Sequence, residues 1–208
     1  MPTLLFENSI YEERGLAAIA GLDEAGRGAL AGPVVAAAVI LPLNDLVRLQ
    51  RLPEVNDSKQ LTAKTRERLY SLITDNALCY GIGSCPAEGI DEMGIIPATK
   101  AAMLQALGQL DPQAEHLLID GRIRLKNTPL PQQSIIRGDG KSVSIAAASI
   151  LAKVTRDRMM VELDSRYPQY GFARHKGYGT EFHRQAIAEL GPTREHRLSF
   201  SPLRQTLL

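Results

Sequence analysis

The chain has 208 residues, of which 44% are hydrophobic and 23% are charged, and its formal net charge at pH 7 is +1. This size and composition are typical of one soluble globular domain. No apolar run reaches the roughly 18 residues that a membrane-spanning helix needs, and the first residues lack the basic cluster of a signal peptide. We therefore expect a cytoplasmic protein without a membrane segment.

The charged residues are distributed unevenly. Residues 1–120 contain 9 Lys and Arg against 16 Asp and Glu, whereas residues 121–208 contain 15 against 7. A basic C-terminal half could face a polyanion such as nucleic acid, although ordinary solvated charge would give the same asymmetry. The two cysteines, Cys79 and Cys85, match no metal-binding spacing, so we expect two buried, reduced thiols.

The periodicity of apolar residues predicts strands that alternate with helices. In chain order, the predicted elements are a strand over 16–23, a buried strand over 33–41, a helix capped by Thr62 and ending near Asp75, a strand over 77–84, a helix over 96–110, a strand over 116–120, a strand over 133–136, a helix over 143–163 capped by Ser142 or Ser144, and a helix from Thr180 to Leu190. Such alternation indicates an α/β domain.

The last part of the chain, from about residue 165, is rich in aromatic residues. We expect it to form a small helical C-terminal region. The predicted organisation is therefore a single domain over residues 1–208, with its core at about 16–164 and a helical C-terminal part at about 165–208.

Three acids share one context. Asp23 and Asp120 each end an apolar strand and precede a glycine within three residues, and Asp139 lies between a predicted strand and the long helix. Ligands of open α/β sheets bind beyond the strand ends, so we expect these carboxylates to converge. Taken singly, each acid could instead be a helix cap, a turn residue or part of a surface ion pair.

Clustered carboxylates repel one another, and burying an unpaired charge is costly. A cation resolves both problems, and ligands that are all oxygen select Mg²⁺ or Mn²⁺. Sites of this kind usually catalyse phosphoryl chemistry, in which two metal ions can hold the attacking and leaving oxygens. The acids therefore predict a metal-dependent site.

The stretch after the first strand favours the same interpretation. Asp23 and Glu24 are adjacent, and neighbouring strand residues point to opposite faces, so they can share a metal only if the strand ends or bends there. Gly26 and Gly28 permit such a bend and let a ligand approach the backbone. Arg27 between them adds a cation suited to phosphate.

Two nucleotide-binding motifs can be rejected. Residues 26–31 formally fit G-x-G-x-x-A, but a Val-rich strand follows instead of the helix that a dinucleotide site needs. Gly140-Lys141-Ser142 resembles the end of a P-loop, but the position of its first glycine is Ile135.

Six segments together resemble the ribonuclease HII family, the type 2 ribonucleases H, and they occur in the family's order. They are Asp23-Glu24-Ala25-Gly26-Arg27-Gly28, Asn56-Asp57-Ser58-Lys59, Leu118-Ile119-Asp120-Gly121, Arg137-Gly138-Asp139, the stretch from Ser144 to Asp157, and His175-Lys176-Gly177-Tyr178-Gly179-Thr180. The resemblance spans about residues 18–203. One small departure is Arg137, where many relatives have lysine.

The resemblance implies a ribonuclease H-like mixed sheet flanked by helices, with a small helical C-terminal region. It implies a monomeric endonuclease that uses Mn²⁺ or Mg²⁺ to cut the RNA of RNA–DNA hybrids and duplex DNA at single embedded ribonucleotides, leaving a 5′-phosphate and a 3′-OH. The implied catalytic and metal-binding residues are Asp23, Glu24, Asp120 and Asp139. The implied substrate-binding residues are Gly26, Arg27, Gly28, Lys59 and Tyr178.

The sequence does not decide the roles of several other residues. Lys59 alone would be an ordinary exposed lysine, and Tyr178 alone could be a core residue. The long helix is interpreted as structural, and its cations (Lys153, Arg156 and Arg158) form either a solvated face or distant substrate contacts. His196 and Arg197 could contribute at the C-terminal side of the site.

Two other functions compete with this one. Another nuclease with a ribonuclease H-like core would share the acids but would not need a 2′-OH. A non-catalytic nucleic-acid-binding module has no reason to keep four acids at a polyanion surface. Such a module would bind in EDTA and would never cut.

Overall fold

The computed structural model describes residues 1–52 and 61–206. The predicted substrate-binding residue Lys59, with the rest of its segment, lies outside these described residues. Within them the chain forms a mixed sheet with helices on both faces, as predicted.

The sheet has five strands in the order β3-β2-β1-β4-β5. Strands β1, β2 and β3 form an antiparallel meander, and β4 and β5 extend the sheet from β1 in parallel. The strands are β1 (Ile19–Ala25), β2 (Val34–Ile40), β3 (Cys79–Cys85), β4 (His116–Asp120) and β5 (Gln132–Ile135). All five predicted strands are confirmed, within a few residues at their ends.

The structure contains all four helices that the sequence predicted by range, and further short ones. The helices of the described residues are α1 (Leu5–Arg14), α2 (Leu46–Leu49), α3 (Ala63–Asn76), α4 (Ala87–Met93), α5 (Ile95–Leu107), α6 (Val143–Arg166), α7 (Phe172–His175), α8 (Glu181–Leu190) and α9 (Leu203–Thr206). Thr62, Ser142 and Thr180 cap α3, α6 and α8 through their side-chain oxygens. Sequence analysis missed α1, α2 and α4, whereas α7 and α9 belong to the C-terminal part that was expected to be helical.

Each face of the sheet is covered by one long helix. Alternate residues of the central strands, such as Leu22 and Ala38, pack against α5. The intervening residues, such as Ala37 and Val39, pack against α6 and α3. This alternation is what the pleat of a doubly covered sheet requires.

The helices approach the sheet very closely. A Cβ added to Gly21 of β1 would lie 2.2 Å from the backbone carbon of Ser144, and one added to Gly83 of β3 would lie 2.1 Å from the carbonyl oxygen of Ala102. Small residues on α6 contribute to the same fit, as the sequence suggested. The positions of both long helices are therefore fixed against the strands that carry the acids.

The C-terminal region packs against the end of α6, as expected for a small helical part. Its aromatic cluster includes Tyr170 and Phe172, whose rings stack with centroids 5.5 Å apart, and it contacts Met160 of α6. An isolated bridge between Ala31 and His196 joins this region to the loop that leads into β2.

Both cysteines are free, with Cys85 buried and Cys79 only partly so. Across residues 1–52 and 61–206, no helix combines the length and apolar character needed to cross a bilayer.

Candidate active site

Two of the predicted acids lie side by side at one edge of the sheet. The parallel pairing of β1 with β4 sets Leu22 opposite Ile119, so the next residues along the two strands are Asp23 and Asp120. Leu22 and Ile119 share the α5 face, and the pleat therefore turns both carboxylates to the α6 face. The third acid, Asp139, is also near this edge.

Asp139 is buried in a 3₁₀ turn over Gly138–Gly140, directly before α6. The backbone N–H of Gly138 donates a 2.6 Å hydrogen bond to Oδ1 of Asp120, and Oδ1 of Asp139 accepts one from Gly140. The turn therefore ties Asp139 to the Asp120 strand end. Asp139 does not line the cleft that the other three acids share.

The first strand does not end at the carboxylates, which corrects the sequence prediction. It continues through Asp23 and Glu24 to Ala25, and the chain turns at Gly26, where φ is +90°. Consequently Glu24 starts from the opposite face to Asp23. Its Oε1 forms a 3.0 Å ion pair with Arg27, while its N–H donates to Oδ1 of Asp23.

The carboxylate of Asp23 lies close to those of Glu24 and Asp120. Burial raises its pKa well above the usual value, and the negative charges of Glu24 and Asp120 raise it further. A hydrogen bond from Ser149 and one from the Glu24 backbone oppose the shift without cancelling it. A cation between these groups would remove the repulsion that raises the pKa.

The acids open into a cleft of about 610 Å³. Besides Asp23, Glu24 and Asp120, its walls contain the Gly26-Arg27-Gly28 turn, Tyr178 from the C-terminal region, and Ser149 and Lys153 from α6, with Ile95 and Phe200. All predicted site residues that the structure describes, apart from Asp139, therefore line one concave surface. Tyr178 is 40% exposed there and is not a core tyrosine.

The chemistry of these donors fits a hard divalent cation, since they are oxygen ligands whose mutual repulsion a cation would relieve. Among the described residues, however, no three His, Cys, Asp or Glu side chains are arranged so that they could already hold a metal ion. Asp23 and Asp120 share one face of the sheet, whereas Glu24 begins on the other.

Sequence analysis underestimated helix α6. Ser149 and Lys153 are four residues apart, which places them on one face of the helix, and that face forms a wall of the cleft. Lys153 pairs with Asp157 at 2.6 Å. Burial lowers the pKa of Lys153, and Asp157 partly restores it. The spacing was visible in the sequence, but which face of α6 meets the cleft was not.

Arg156 is not on a solvated face. It is 1% exposed, and its guanidinium donates to the carbonyl oxygens of Pro33, Lys176 and Ala31 at 2.8, 2.9 and 3.1 Å. The same group lies 5.6 Å from the centre of the Tyr178 ring. Arg156 thus joins the loop before β2 to the segment that carries Tyr178. Arg158 does lie on the surface, paired with Glu67.

Arg197 is a second buried guanidinium, with 0% exposure. It donates to the carbonyl oxygen of Arg27 at 2.9 Å and twice to that of Gly32, at 3.0 and 2.8 Å. Burial and the charge of Arg156 lower its pKa. Arg197 therefore holds the backbone of the turn at the cleft through a hydrogen bond to the Arg27 carbonyl oxygen.

Three buried histidines cluster behind Tyr178, and two of them, His183 and His196, form a hydrogen-bonded relay. His196 Nδ1 accepts from the Thr193 N–H, so its proton lies on Nε2, which donates across 3.1 Å to Nε2 of His183. His183 in turn donates from Nδ1 to the Tyr178 carbonyl oxygen. The third ring, His175, stacks on His183 with centroids 4.3 Å apart. The relay requires neutral rings, and burial lowers the pKa of His183 and of His196 to about 4.

Comparison with known proteins identifies the family of this chain. The family model for ribonuclease HII matches residues 20–202. The chain is 52% identical to the ribonuclease HII of Chloroflexus aurantiacus over 208 residues, which is 100% of this chain and 97% of the relative.

Solved structures share the fold. Ribonuclease H2 from Pyrococcus horikoshii has a TM-score of 0.76 at 27% identity, covering 90% of this chain and 95% of its own. Bst-RNase HIII, solved in complex with Mn²⁺, has a TM-score of 0.71 at 18% identity, covering 92% of this chain and 70% of its own. These likenesses confirm the expected fold, and the matches in sequence confirm the resemblance. The chain therefore belongs to the ribonuclease HII family, whose members are endoribonucleases that act on RNA–DNA hybrids.

Proposed function

We propose that this protein cuts the RNA strand of RNA–DNA hybrids and also incises duplex DNA at single embedded ribonucleotides. The observation that carries the proposal is the cleft itself. Asp23 and Asp120 lie on one face of adjoining parallel strands, and the Gly26–Gly28 turn opens beside them. Acids alone would repel a polyanion, so their place in a nucleic-acid cleft supports catalysis with a metal over simple binding.

We assign metal binding to Asp23, Glu24, Asp120 and Asp139. Their oxygen donors suit Mn²⁺ or Mg²⁺, and the Mn²⁺ complex of Bst-RNase HIII supports a divalent ion. When bound, such an ion supplies Lewis-acid stabilisation of the phosphoryl group and lowers the pKa of a water. The raised pKa of Asp23 supports this assignment, because the ionised acids need a counter-charge.

The chain's own residues bind and orient the nucleic acid. The backbone of Gly26 and Gly28 can approach the minor groove without a side chain in the way, where a ribose 2′-OH distinguishes RNA from DNA. Arg27 offers a charged donor to the phosphate, and Tyr178 offers a ring for stacking on a sugar. Lys59 remains a predicted phosphate contact.

The products would be a 5′-phosphate and a 3′-OH. We also propose that the enzyme is cytoplasmic and monomeric.

The test is cleavage of a DNA duplex with one embedded ribonucleotide, run beside an RNA–DNA hybrid and an all-DNA duplex. Wild type, Asp23→Asn and the control Asp75→Asn, which changes an exposed acid of α3, are each assayed with Mg²⁺, Mn²⁺ and EDTA. We expect wild type and the control to cut at the ribonucleotide and within the hybrid, and only with metal. Asp23→Asn should not cut.

Other outcomes have defined meanings. Equal cutting of the all-DNA duplex would replace the proposal with a general nuclease. Duplex binding in EDTA without cutting in either metal would replace it with a non-catalytic binding module. Cutting of the hybrid alone would remove the single-ribonucleotide activity from the proposal.

A further inference from the structure

A second groove lies beside the cleft, and we name it the basic groove. It encloses about 410 Å³ and is lined by Arg27, Ile96, Lys100, Arg122, Ile123, Arg124 and Lys126. Five of these residues are cations, and the lining contains no acid. Arg122, Arg124 and Lys126 contribute to the excess of basic over acidic residues in positions 121–208. The active site accounts for little of that excess.

Three of the cations belong to a fixed segment after β4. Along residues 122–126, exposed Arg122, Arg124 and Lys126 alternate with Ile123 and Leu125, which are buried at 6% and 1% exposure. The two apolar side chains anchor this segment in the core, and the three cations are exposed to solvent.

Side chains of β5 hold that segment in place. Gln132 accepts from the N–H of Leu125 and donates to its carbonyl oxygen, both at 2.8 Å, and Ser134 donates to the Ile123 carbonyl oxygen at 2.6 Å. These side-chain groups satisfy backbone groups that would otherwise pair with a neighbouring strand. The cations are therefore presented by an anchored backbone.

Of the five cations in this groove, Arg27 forms an ion pair with Glu24. Within residues 1–52 and 61–206, no carboxylate forms an ion pair with Lys100, Arg122, Arg124 or Lys126. Three exposed cations within five consecutive residues, with Lys100 lining the same groove, suit a strand of successive phosphates more than a single small anion.

The groove is continuous with the cleft. Arg27 lines both, and the neighbouring residues Ile95 and Ile96 line the cleft and the groove respectively. We infer that the basic groove binds the phosphate backbone of the substrate duplex on one side of the ribonucleotide, away from the scissile bond. This inference rests on the proposed function, because it extends the same substrate beyond the cleft.

Salt dependence gives the expected size of the effect. Each phosphate neutralised contributes about 0.9 to the slope of log affinity against log salt. If Arg122, Arg124 and Lys126 each neutralise one phosphate, replacing all three lowers the slope by about 2.7. Raising salt from 50 to 200 mM should then weaken wild-type binding about 40-fold more than it weakens binding by the variant.

The experiment measures binding of a fluorescent duplex with one ribonucleotide, without divalent metal, at several salt concentrations. The variant R122Q/R124Q/K126Q is compared with wild type and with R14Q/K64Q/R166Q. The latter carries the same charge change at exposed cations that line neither the cleft nor the groove. Two shortened duplexes, truncated on opposite sides of the ribonucleotide, complete the set.

We expect a lower salt slope for the groove variant only. We also expect wild type to lose affinity on truncation of one side, and the groove variant to lose little on that side. The inference is overturned if the groove variant and the control have equal slopes, or if both truncations affect wild type and the groove variant equally.

Failure of the proposed function would look different. Wild type would then not cut the full-length duplex in Mg²⁺ or Mn²⁺, whatever its salt slope. If wild type cuts but the groove variant keeps the wild-type slope, only the groove assignment fails, and the cations serve another acidic partner.

Discussion

The buried guanidinium of Arg197 should support substrate binding without touching the substrate. It bridges the carbonyl oxygens of Arg27, in the turn at the cleft, and Gly32, before β2. Replacement by methionine keeps an unbranched apolar stem of similar reach and removes all three donated hydrogen bonds. Both carbonyl oxygens then lose the partner that the structure shows.

The magnitude follows from these contacts. Leaving a buried acceptor unsatisfied costs about 1–3 kcal/mol, so two of them cost roughly 2–6 kcal/mol. Removing a buried charge close to Arg156 offsets part of this loss. We therefore expect Arg197→Met to lower the free energy of unfolding by about 2–4 kcal/mol, and the melting temperature by roughly 5–15 °C for a domain of this size.

Substrate affinity should fall as well, because the backbone of Arg27 is no longer held. A loss of about 1 kcal/mol in binding would raise KM about fivefold. Arg197→Lys should be intermediate in both measurements, since an ammonium keeps the charge but cannot donate as a planar fork to both carbonyls.

The assays are thermal and urea unfolding, and KM for the duplex with one ribonucleotide at a temperature where every variant is folded. Arg166→Met, at an exposed position on α6, is the control and should match wild type. If Arg197→Met melts with wild type and keeps its KM, then the two carbonyls do not depend on Arg197, and the reasoning is refuted.

Two further predictions concern the frame of the site. Gly21→Ala should lower the free energy of unfolding in urea by about 3 kcal/mol, because the added Cβ would meet the Ser144 backbone. Gly28→Ala is the control and should unfold like wild type, because a Cβ there would have no atom within 4 Å. Equal stabilities of the two variants would contradict the observed packing. For His183 and His196, whose folded pKa values of about 4 lie below the usual 6.5, stability should be complete above about pH 6.5 and fall towards pH 4, by about 3 kcal/mol for each ring. NMR titration checks this directly, and a ring of either residue titrating near pH 6.5 in the folded protein would disprove the neutral relay.

The sequence was a good guide wherever a structural signal lies within a few residues. The caps of α3, α6 and α8 could be predicted because a Ser or Thr oxygen bonds to an N–H only three residues away. Strands β1, β2 and β4 could be predicted because burial on both faces demands apolar runs. The family, too, was identifiable from short segments in a fixed order.

The candidate site was only partly predictable. The sequence shows that acids lie near the ends of β1 and β4, but their meeting depends on a parallel pairing between strands almost 100 residues apart. That Asp23 and Glu24 start on opposite faces follows from the pleat of one strand. That Asp23 and Asp120 share a face depends on the long-range register, which no local pattern encodes.

The burial of Arg156 and Arg197 is the feature that the sequence predicted least well. In the sequence, Arg156 belongs to a run of charges on a helix, and such a run is usually solvated. Its partners Pro33 and Ala31 are 123 and 125 residues away, and Arg197 reaches Arg27 across 170 residues. Most of the helices and strands, the acids and the turn at the cleft could be predicted from the chain, because they depend on neighbouring residues. Which cations enter the interior depends on the folded arrangement, because a buried guanidinium is stable only where folding has gathered carbonyl oxygens around it.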